Sequence, residues 1–203
     1  MTRTIAITGG PYAGKSRGLA YVRTQLESRY GIHAVVVPEA ATIVLQGALI
    51  DWNEFEERDS RRDLLRIQRS ITQLQQQLRL TFLRLASEFG SRRPLVLFDR
   101  AELDGFAYID WQEFQKLLAA LGMSVDTITA SYDAVVHMRP APASPAQSTV
   151  IGRRLAPNLP RTLELDARIE RAWQGHPTRV FISQADRWEV KRERLLEAIL
   201  TLM

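Results

Sequence analysis

The sequence predicts an α/β fold in which helices flank a parallel five-stranded sheet. Three observations support this class: short apolar runs rich in β-branched residues, helical patterns between them, and a length of 203 residues, which suits one domain. The apolar runs are continuous and do not alternate with polar residues, as in strands buried on both faces of a parallel sheet. The predicted strands cover residues 3–8, 33–38, 94–98, 133–138 and 179–182.

The longest predicted helix runs from about Ser60 to Phe89. Its apolar residues recur every three or four positions from Leu64 onward. Ser60 can cap the first turn, and Gly90 follows where a helix commonly stops. The same spacing also fits a coiled coil, but we favour an apolar stripe that packs on the sheet.

An irregular stretch between Arg139 and Arg161 interrupts the alternation of strands and helices. It holds five of the nine prolines, together with small polar residues. A stretch of this length without its own secondary structure is typical of a functional loop or of disorder. We therefore predict a single domain over residues 1–203 that carries a lid at about 139–161.

The composition excludes several kinds of site. Because the chain has no cysteine, it cannot form a disulfide scaffold, a thiolate zinc site or a cysteine nucleophile. The three histidines are dispersed, and His137, in a predicted strand, is expected to lie in the core. No apolar run reaches the ~20 residues that span a bilayer, and the amino-terminal residues lack the pattern of a secretory signal. We expect a cytoplasmic protein without a membrane partner.

Residues 9–16, Gly-Gly-Pro-Tyr-Ala-Gly-Lys-Ser, match the phosphate-binding pattern G-x-x-x-x-G-K-[ST] without a mismatch. Glycines let backbone N–H groups turn inward around phosphate oxygens, and the following helix directs its positive dipole end at the same anion. Lys15 is expected to contact the β- and γ-phosphates, and the Ser16 hydroxyl to ligate Mg²⁺. The expected ligands are ATP or GTP with Mg²⁺, bound by Gly9, Gly10, Pro11, Tyr12, Ala13, Gly14, Lys15, Ser16 and Arg17.

Two classes of nucleotide-binding protein do not fit this sequence. A small GTPase carries an N-K-x-D sequence and a D-x-x-G sequence, but N-K-x-D is absent and Asp99 is followed by Arg-Ala-Glu. An oligomeric AAA machine would need a longer chain with sensor and arginine-finger segments. Phosphotransferases instead need carboxylates near the acceptor and near Mg²⁺. Glu39 and the pair Asp99-Arg100 are candidates, since each follows a predicted strand at its carboxyl end.

Asp99 is expected to hold Mg²⁺ through a water or to orient the acceptor, with a structural pairing to Arg100 as the alternative. An unpaired carboxylate at the end of a hydrophobic strand would be costly to bury, which favours a functional role. Arg62 and Arg66, with Arg58 and Arg69, recur on one side of the long helix. They could bind an anionic substrate or simply face solvent.

Three stretches of the sequence, residues 7–16, 98–108 and 158–177, carry motifs in a fixed order. Together they resemble the nicotinamide-riboside-kinase-like P-loop domains. These are a group of predicted AAA-type ATPases that also includes the GTP-binding domain of the TRP-channel translocation-defect protein. The resemblance implies a P-loop kinase fold and nucleotide binding, whereas members differ in what they phosphorylate. Ala101 stands where the family usually has glycine. Ile-Ser-Gln at 182–184 replaces the usual Asp-Asn after the last strand, and because this loop is expected near the nucleotide base, the choice between ATP and GTP stays open.

The resemblance also implies roles for single residues. Glu39 would accept the proton of the substrate hydroxyl, unless it is only a charge at a helix N-terminus. Arg161, which matches a family motif, would close on the transferred phosphoryl group with Arg153 and Arg154, although solvated loop arginines are common. The residues expected at the acceptor are Glu39, Arg100, Asp104 and Tyr108, of which Asp104 could instead cap a short helix.

The leading interpretation is Mg²⁺-dependent phosphoryl transfer from ATP or GTP to a small hydroxyl-bearing, nucleoside-like acceptor. An alternative is a nucleotide-binding regulatory module without a small-molecule acceptor. A third is a polynucleotide-end kinase, since a net charge of +4 and a pI near 9.7 permit nucleic-acid binding without requiring it. The residues expected to carry catalysis are Lys15, Asp99, Glu39 and Arg161.

Overall fold

A parallel sheet organises the part of the chain that the computed structural model describes, namely residues 2–48, 61–89, 94–140, 159–183 and 187–203. Within these ranges the sheet has five strands in the order β2-β3-β1-β4-β5, and every neighbouring pair is parallel. All five predicted strands are confirmed to within one residue at either end. The strands are β1 (Arg3–Thr8), β2 (Ala34–Val37), β3 (Leu95–Asp99), β4 (Ala134–Met138) and β5 (Arg179–Ile182).

Helices connect the strands and cover both faces of the sheet. The predicted long helix is confirmed as α3, whose side chains Leu64, Leu78 and Phe82 pack on the core, so the coiled-coil alternative is wrong. Ser60 and Gly90, its predicted ends, lie outside the described residues. The helices are α1 (Lys15–Tyr30), α2 (Ala40–Gly47), α3 (Arg61–Glu88), a 3₁₀ helix (Glu102–Ala107), α4 (Trp111–Ala120), α5 (Val125–Thr129), α6 (Leu159–Ala172) and α7 (Trp188–Leu202).

Two hydrophobic cores lie on opposite faces of the sheet, because successive side chains of a strand point to opposite sides. Ile5 and Ile7 of β1 pack in a core with α1 and α7. Ala6 of β1 and Phe98 of β3 pack in the other core with α3, the 3₁₀ helix, α4 and α6. The sheet is therefore buried on both sides, which explains why its strands are continuous apolar runs.

The order of the strands determines which side chains meet at the carboxyl edge. Strand β1 lies between β3 and β4, with Ile7 in register with Asp99 and Thr8 in register with His137. The loop that follows β1 thus begins beside the last residue of β3. In open α/β sheets, ligands bind outside the carboxyl ends of the strands where the strand order reverses.

The predicted lid is described only at its two ends. Residues 141–158 lie outside the described ranges. The prediction of an irregular stretch up to Arg161 is wrong for the last three residues, because α6 already begins at Leu159. Pro160 is compatible with this start, since the first turn of a helix needs no N–H at that position. Among the helices that the structure describes, none is both long and apolar enough to cross a membrane.

Candidate nucleotide-binding site

The loop between β1 and α1 adopts backbone conformations that glycine favours. Gly9 has φ 125°, and a Cβ there would lie 2.1 Å from the carbonyl oxygen of Met138. Gly14, the N-cap of α1, has φ 89°, and a Cβ there would lie 2.6 Å from the ring of Trp188. Tyr12 also has a positive φ of 59°, an uncommon state for a residue with a side chain, and such residues cluster at functional sites.

Lys15 is buried at the start of α1 and folds back over this loop. Its Nζ donates to the carbonyl oxygens of Gly9 at 2.9 Å and Gly10 at 2.7 Å. Burial, together with the positive charge of Arg100, lowers the pKa of Lys15 to about 7, although nearby carboxylates oppose this shift. An anion bound beside Lys15 would favour its charged form.

Asp99 ends β3 as a buried carboxylate. Its Oδ1 has no hydrogen-bond partner among the described residues. Burial raises the pKa of Asp99, while the Ser16 hydroxyl and the charge of Lys15 oppose the increase. A buried polar atom without a partner calls for an explanation, and the binding of a cation by this oxygen would supply one.

The Asp99 carboxylate and the Ser16 hydroxyl fit a magnesium ion. Oxygen ligands suit Mg²⁺, which is usually bound by one or two protein groups together with substrate phosphates and water. The residues that the structure describes include no group of three or more His, Asp or Glu side chains that could hold a metal by themselves. Two protein oxygen donors suit a metal whose other ligands are phosphate oxygens and water.

Arg100 connects three elements around the loop. Its Nε donates to Glu39 Oε1 at 2.6 Å, and its Nη1 donates to the Gly9 carbonyl at 3.2 Å and to Asp104 Oδ2 at 3.3 Å. Arg100 has φ 73°, and Gln75 of α3 donates to its carbonyl oxygen at 3.3 Å. A left-handed arginine persists only where its surroundings determine its conformation.

Glu39 follows β2 and occupies the N-cap position of α2, but its side chain makes no capping hydrogen bond. Burial alone would raise the pKa of Glu39. The charge of Arg100 and the hydroxyl of Thr42 outweigh burial and lower that pKa to about 2. Glu39 is therefore ionised at neutral pH, and its carboxylate is engaged by Arg100.

Asp104 lies within the 3₁₀ helix and faces the sheet. Its Oδ1 accepts hydrogen bonds from Thr8 Oγ1 at 2.8 Å and Trp173 Nε1 at 2.9 Å. Burial raises the pKa of Asp104 in spite of these donors and of Arg100. The N-cap of this helix is Ala101, so the alternative that Asp104 caps it is wrong. Tyr108 is the C-cap residue that follows this helix. Burial alone would lower the pKa of Arg100, but its charge interaction with Tyr108 is among the effects that raise that pKa.

A family model described as an AAA domain matches residues 4–191. The chain belongs to this family. Its membership confirms the AAA-type P-loop class that the three sequence stretches predicted, and it agrees with the parallel α/β sheet. No sequence among the curated proteins matched the chain.

Some predicted site residues of this AAA domain lie at its surface. Arg62 and Arg66 are exposed on α3, where Arg66 pairs with Asp63 at 3.0 Å. Arg161 pairs with Glu164, one turn further along α6, at 2.9 Å. Arg153 and Arg154 lie outside the described residues.

Two polar residues that contact the site in the structure were not among the residues predicted from the sequence. Asp166 of α6 accepts a hydrogen bond from the Gly10 N–H at 2.6 Å, and Gln75 of α3 contacts Arg100. The sequence could have indicated both residues, because each is a polar residue on the buried side of a helix. His137, expected in the core, is buried there, with its Nε2 3.0 Å from Asp166 Oδ1.

Proposed function

We propose that this AAA-domain protein is a Mg²⁺-dependent phosphotransferase that moves the γ-phosphoryl group of ATP or GTP to a small hydroxyl-bearing acceptor. One observation carries the proposal. Two groups of side chains, each with one basic and one acidic member, adjoin at the carboxyl edge of the sheet. Lys15, Ser16 and Asp99 lie beside residues 9–14, the phosphate loop, and Glu39 after β2 pairs with Arg100 after β3. A phosphotransferase needs a phosphate site of this kind next to a carboxylate that meets the acceptor.

The first group provides the nucleotide side of the reaction. Lys15 would contact the β- and γ-phosphates, and Ser16 and Asp99 would hold Mg²⁺. When bound, the metal supplies charge neutralisation at the phosphate oxygens. Because Lys15 is already buried and fixed on the loop carbonyls, little of its side-chain freedom remains to be lost when the polyphosphate binds.

The second group provides the acceptor side. With a pKa of about 2, Glu39 is too weak a base to ionise a hydroxyl in the ground state. Its carboxylate can instead accept the hydroxyl hydrogen bond, orient the oxygen toward the phosphorus, and take the proton as transfer proceeds. In a loose transition state, positioning of this kind supplies most of the catalysis. Asp104 and Tyr108 would then line the acceptor pocket around Arg100.

Arginines outside these groups keep the roles predicted from the sequence. Arg161, with Arg153 and Arg154, is proposed to close on the transferred phosphoryl group and stabilise its negative charge. Arg62 and Arg66, both exposed on α3, would serve only an acceptor with an anionic part, because their guanidinium groups recognise carboxylate or phosphate.

A regulatory nucleotide-binding module is the second candidate function. The hydrogen bond from the Gly10 N–H to Asp166 favours it, since this contact joins the phosphate loop to α6. A nucleotide that shifts the loop would thereby act on a helix at the protein surface, and a partner could recognise the change.

A panel of acceptors distinguishes the two functions. The purified protein is incubated with Mg·ATP or Mg·GTP and with single nucleosides, sugars and alcohols, and both nucleoside diphosphate and phosphorylated product are measured. A phosphotransferase forms the two products in equal amounts with one acceptor class and shows little hydrolysis alone. Hydrolysis that no acceptor stimulates would contradict transfer and support the regulatory module.

A matched pair of lysine variants shows whether any turnover belongs to this site. Lys15→Ala should abolish it, as removal of one preorganised charge contact costs about 10²-fold or more. Lys116→Ala, at an exposed position of α4, should leave it unchanged. Turnover at the wild-type rate in Lys15→Ala would refute the assignment of the site.

A further inference from the structure

The peptide unit between Gly9 and Gly10 is held from both sides. On one side, its N–H donates to Asp166 Oδ1 at 2.6 Å. On the other, its carbonyl oxygen accepts from Lys15 Nζ at 2.9 Å and from Arg100 Nη1 at 3.2 Å. Since a peptide unit is planar and its N–H and C=O point in opposite directions, these contacts together determine its orientation.

Without such contacts this peptide unit would be easy to rotate. Both flanking residues are glycines, which have the widest choice of backbone conformations. A rotated unit would turn the Gly9 carbonyl away from Lys15, whose ammonium would lose one of its two hydrogen-bond acceptors in the loop. The position of the lysine that is proposed to bind phosphate therefore depends on the orientation of this peptide unit.

Helix α6 is built against the loop at this point. A Cβ at Gly10 would lie 2.9 Å from Asp166 Cβ and 3.2 Å from the carbonyl oxygen of Thr162. Asp166 is buried, and His137 Nε2 at 3.0 Å and Arg139 Nη1 at 3.5 Å further fix its carboxylate. The orientation of the Asp166 carboxylate is therefore fixed. A side chain that positions another group needs such a fixed orientation.

We propose that Asp166 is a positioning residue for the phosphate loop: its carboxylate fixes the Gly9–Gly10 peptide unit and so keeps Lys15 in place for a polyphosphate. The proposal rests on the proposed nucleotide binding and adds a determinant of phosphate affinity from α6. Asp166 does not touch the phosphate in this role. It acts through the Gly10 N–H.

The test compares Asp166 with a neighbouring carboxylate on the same helix. Asp166→Ala removes the acceptor, and Asp166→Asn retains an oxygen for the Gly10 N–H. Glu170→Gln is the matched control, because the Glu170 carboxylate also pairs with Arg139, at 2.8 Å. Within the described residues, that arginine is the only hydrogen-bond donor to this carboxylate. Calorimetry measures the Kd of each protein for Mg·ATP, Mg·GTP and inorganic tripolyphosphate with Mg²⁺, below the melting temperature of every variant.

We expect Asp166→Ala to weaken binding of the nucleotides and of tripolyphosphate by the same factor, about 10-fold to 100-fold. Asp166→Asn and Glu170→Gln should stay within about twofold of the wild type. Because tripolyphosphate consists of phosphate groups alone, an equal loss of affinity for it assigns the effect to the phosphate loop. If Asp166→Ala does not fold, Asp166→Leu, which retains side-chain volume on the buried face of α6, replaces it.

Each contrary result has a distinct meaning. Unchanged affinity in Asp166→Ala or Asp166→Leu overturns the positioning role, even if the variant melts at a lower temperature. An equal loss in Glu170→Gln also overturns it, because the effect then belongs to the ion pairs of α6. A wild-type protein that binds none of the three ligands overturns the proposed function and this inference together.

Discussion

Arg100 and Glu39 form a partly buried ion pair that joins the carboxyl ends of β3 and β2, with 2.6 Å between Nε and Oε1. The same guanidinium donates to the Gly9 carbonyl of the phosphate loop. The carboxylate proposed to meet the acceptor is therefore tied to the loop proposed to hold the nucleotide. Removing one partner of such a pair leaves a buried charge with fewer partners, which is costly.

Replacing Glu39 by glutamine should separate transfer from nucleotide binding. The amide side chain of Glu39→Gln retains an oxygen for Arg100 but cannot take a proton, so the acceptor-dependent kcat should fall by about 10²-fold or more. The Kd for Mg·nucleotide should change by no more than about twofold. Thr42→Val, which removes only the other hydrogen bond to the Glu39 carboxylate, is the control. An unaltered kcat would exclude Glu39 from the reaction.

The buried Lys15 should make stability depend on pH. Burial lowers its pKa from 10.5 to about 7, so the unfolded chain binds more protons than the folded chain between these values. The free energy of unfolding of the nucleotide-free protein should therefore decrease as pH falls through this window. Relative to Lys15→Met, which lacks the group, the decrease should be on the order of 5 kcal/mol.

Denaturant unfolding of wild type and Lys15→Met at several pH values checks this difference. Lys116→Met, a change at an exposed position of α4, controls for the general effect of replacing a lysine. A difference between wild type and Lys15→Met that stays constant with pH would contradict the burial of the ammonium.

Replacing Asp99 by asparagine should stabilise the nucleotide-free protein but reduce the contribution of magnesium to nucleotide affinity. Burial raises the pKa of Asp99, so the stability that this group contributes is present at low pH and is lost as pH rises and the carboxylate ionises. The neutral amide of Asp99→Asn removes that cost at neutral pH. The Mg²⁺-dependent part of nucleotide affinity should fall about tenfold or more.

Thermal melting at neutral pH and nucleotide titrations with and without Mg²⁺ measure the two effects of Asp99→Asn. Asp126→Asn removes the same charge at an exposed position of α5 and should leave magnesium dependence unchanged. A lower melting temperature together with intact magnesium dependence would argue against a metal ligand at Asp99.

A methyl group at Gly9 should disrupt the phosphate loop. The added Cβ would lie 2.1 Å from a backbone oxygen of Met138 that cannot easily move, and φ is 125°. We expect Gly9→Ala to cost more than about 2 kcal/mol of stability and to abolish nucleotide binding. Gly31→Ala is the control, since Gly31 has φ 63° with nothing within 4 Å. Gly31→Ala should lower the free energy of unfolding by about 1 kcal/mol and leave nucleotide affinity intact. Chemical denaturation measures the first effect and calorimetry measures the second. Equal nucleotide affinities in Gly9→Ala and Gly31→Ala would contradict the role of Gly9 in the phosphate loop.

Most of the secondary structure was accessible from the sequence, because it follows from local patterns. The strands are apolar runs whose ends are marked by polar residues, and α3 shows its apolar stripe directly. From parallel strands alone one could expect Glu39 and Asp99 at the same edge of the sheet. The pairing order β2-β3-β1-β4-β5 is a property of contacts between distant segments, so no local pattern contains it.

The contacts within the site were harder to predict. Arg62 and Arg66 recur at helical spacing, yet the side of α3 that faces the sheet carries the buried polar residues Gln68, Thr72 and Gln75. Asp166 meets Gly10 across a separation of 156 residues. A periodic pattern shows that a helix has two faces, but only packing decides which charged group reaches the loop.

The sequence by itself determined the phosphate loop, since its shape depends on adjacent residues: the glycines that permit positive φ and the helix start that follows them. Only the tertiary structure decided the charge states of the side chains around it. Burial and the proximity of Arg100, Lys15 and Glu39 arise from three separate strand ends brought to one edge, and these electrostatic effects shift the pKa values in opposite directions. Sequence spacing contains no information on distance or desolvation, which are the quantities that such shifts depend on.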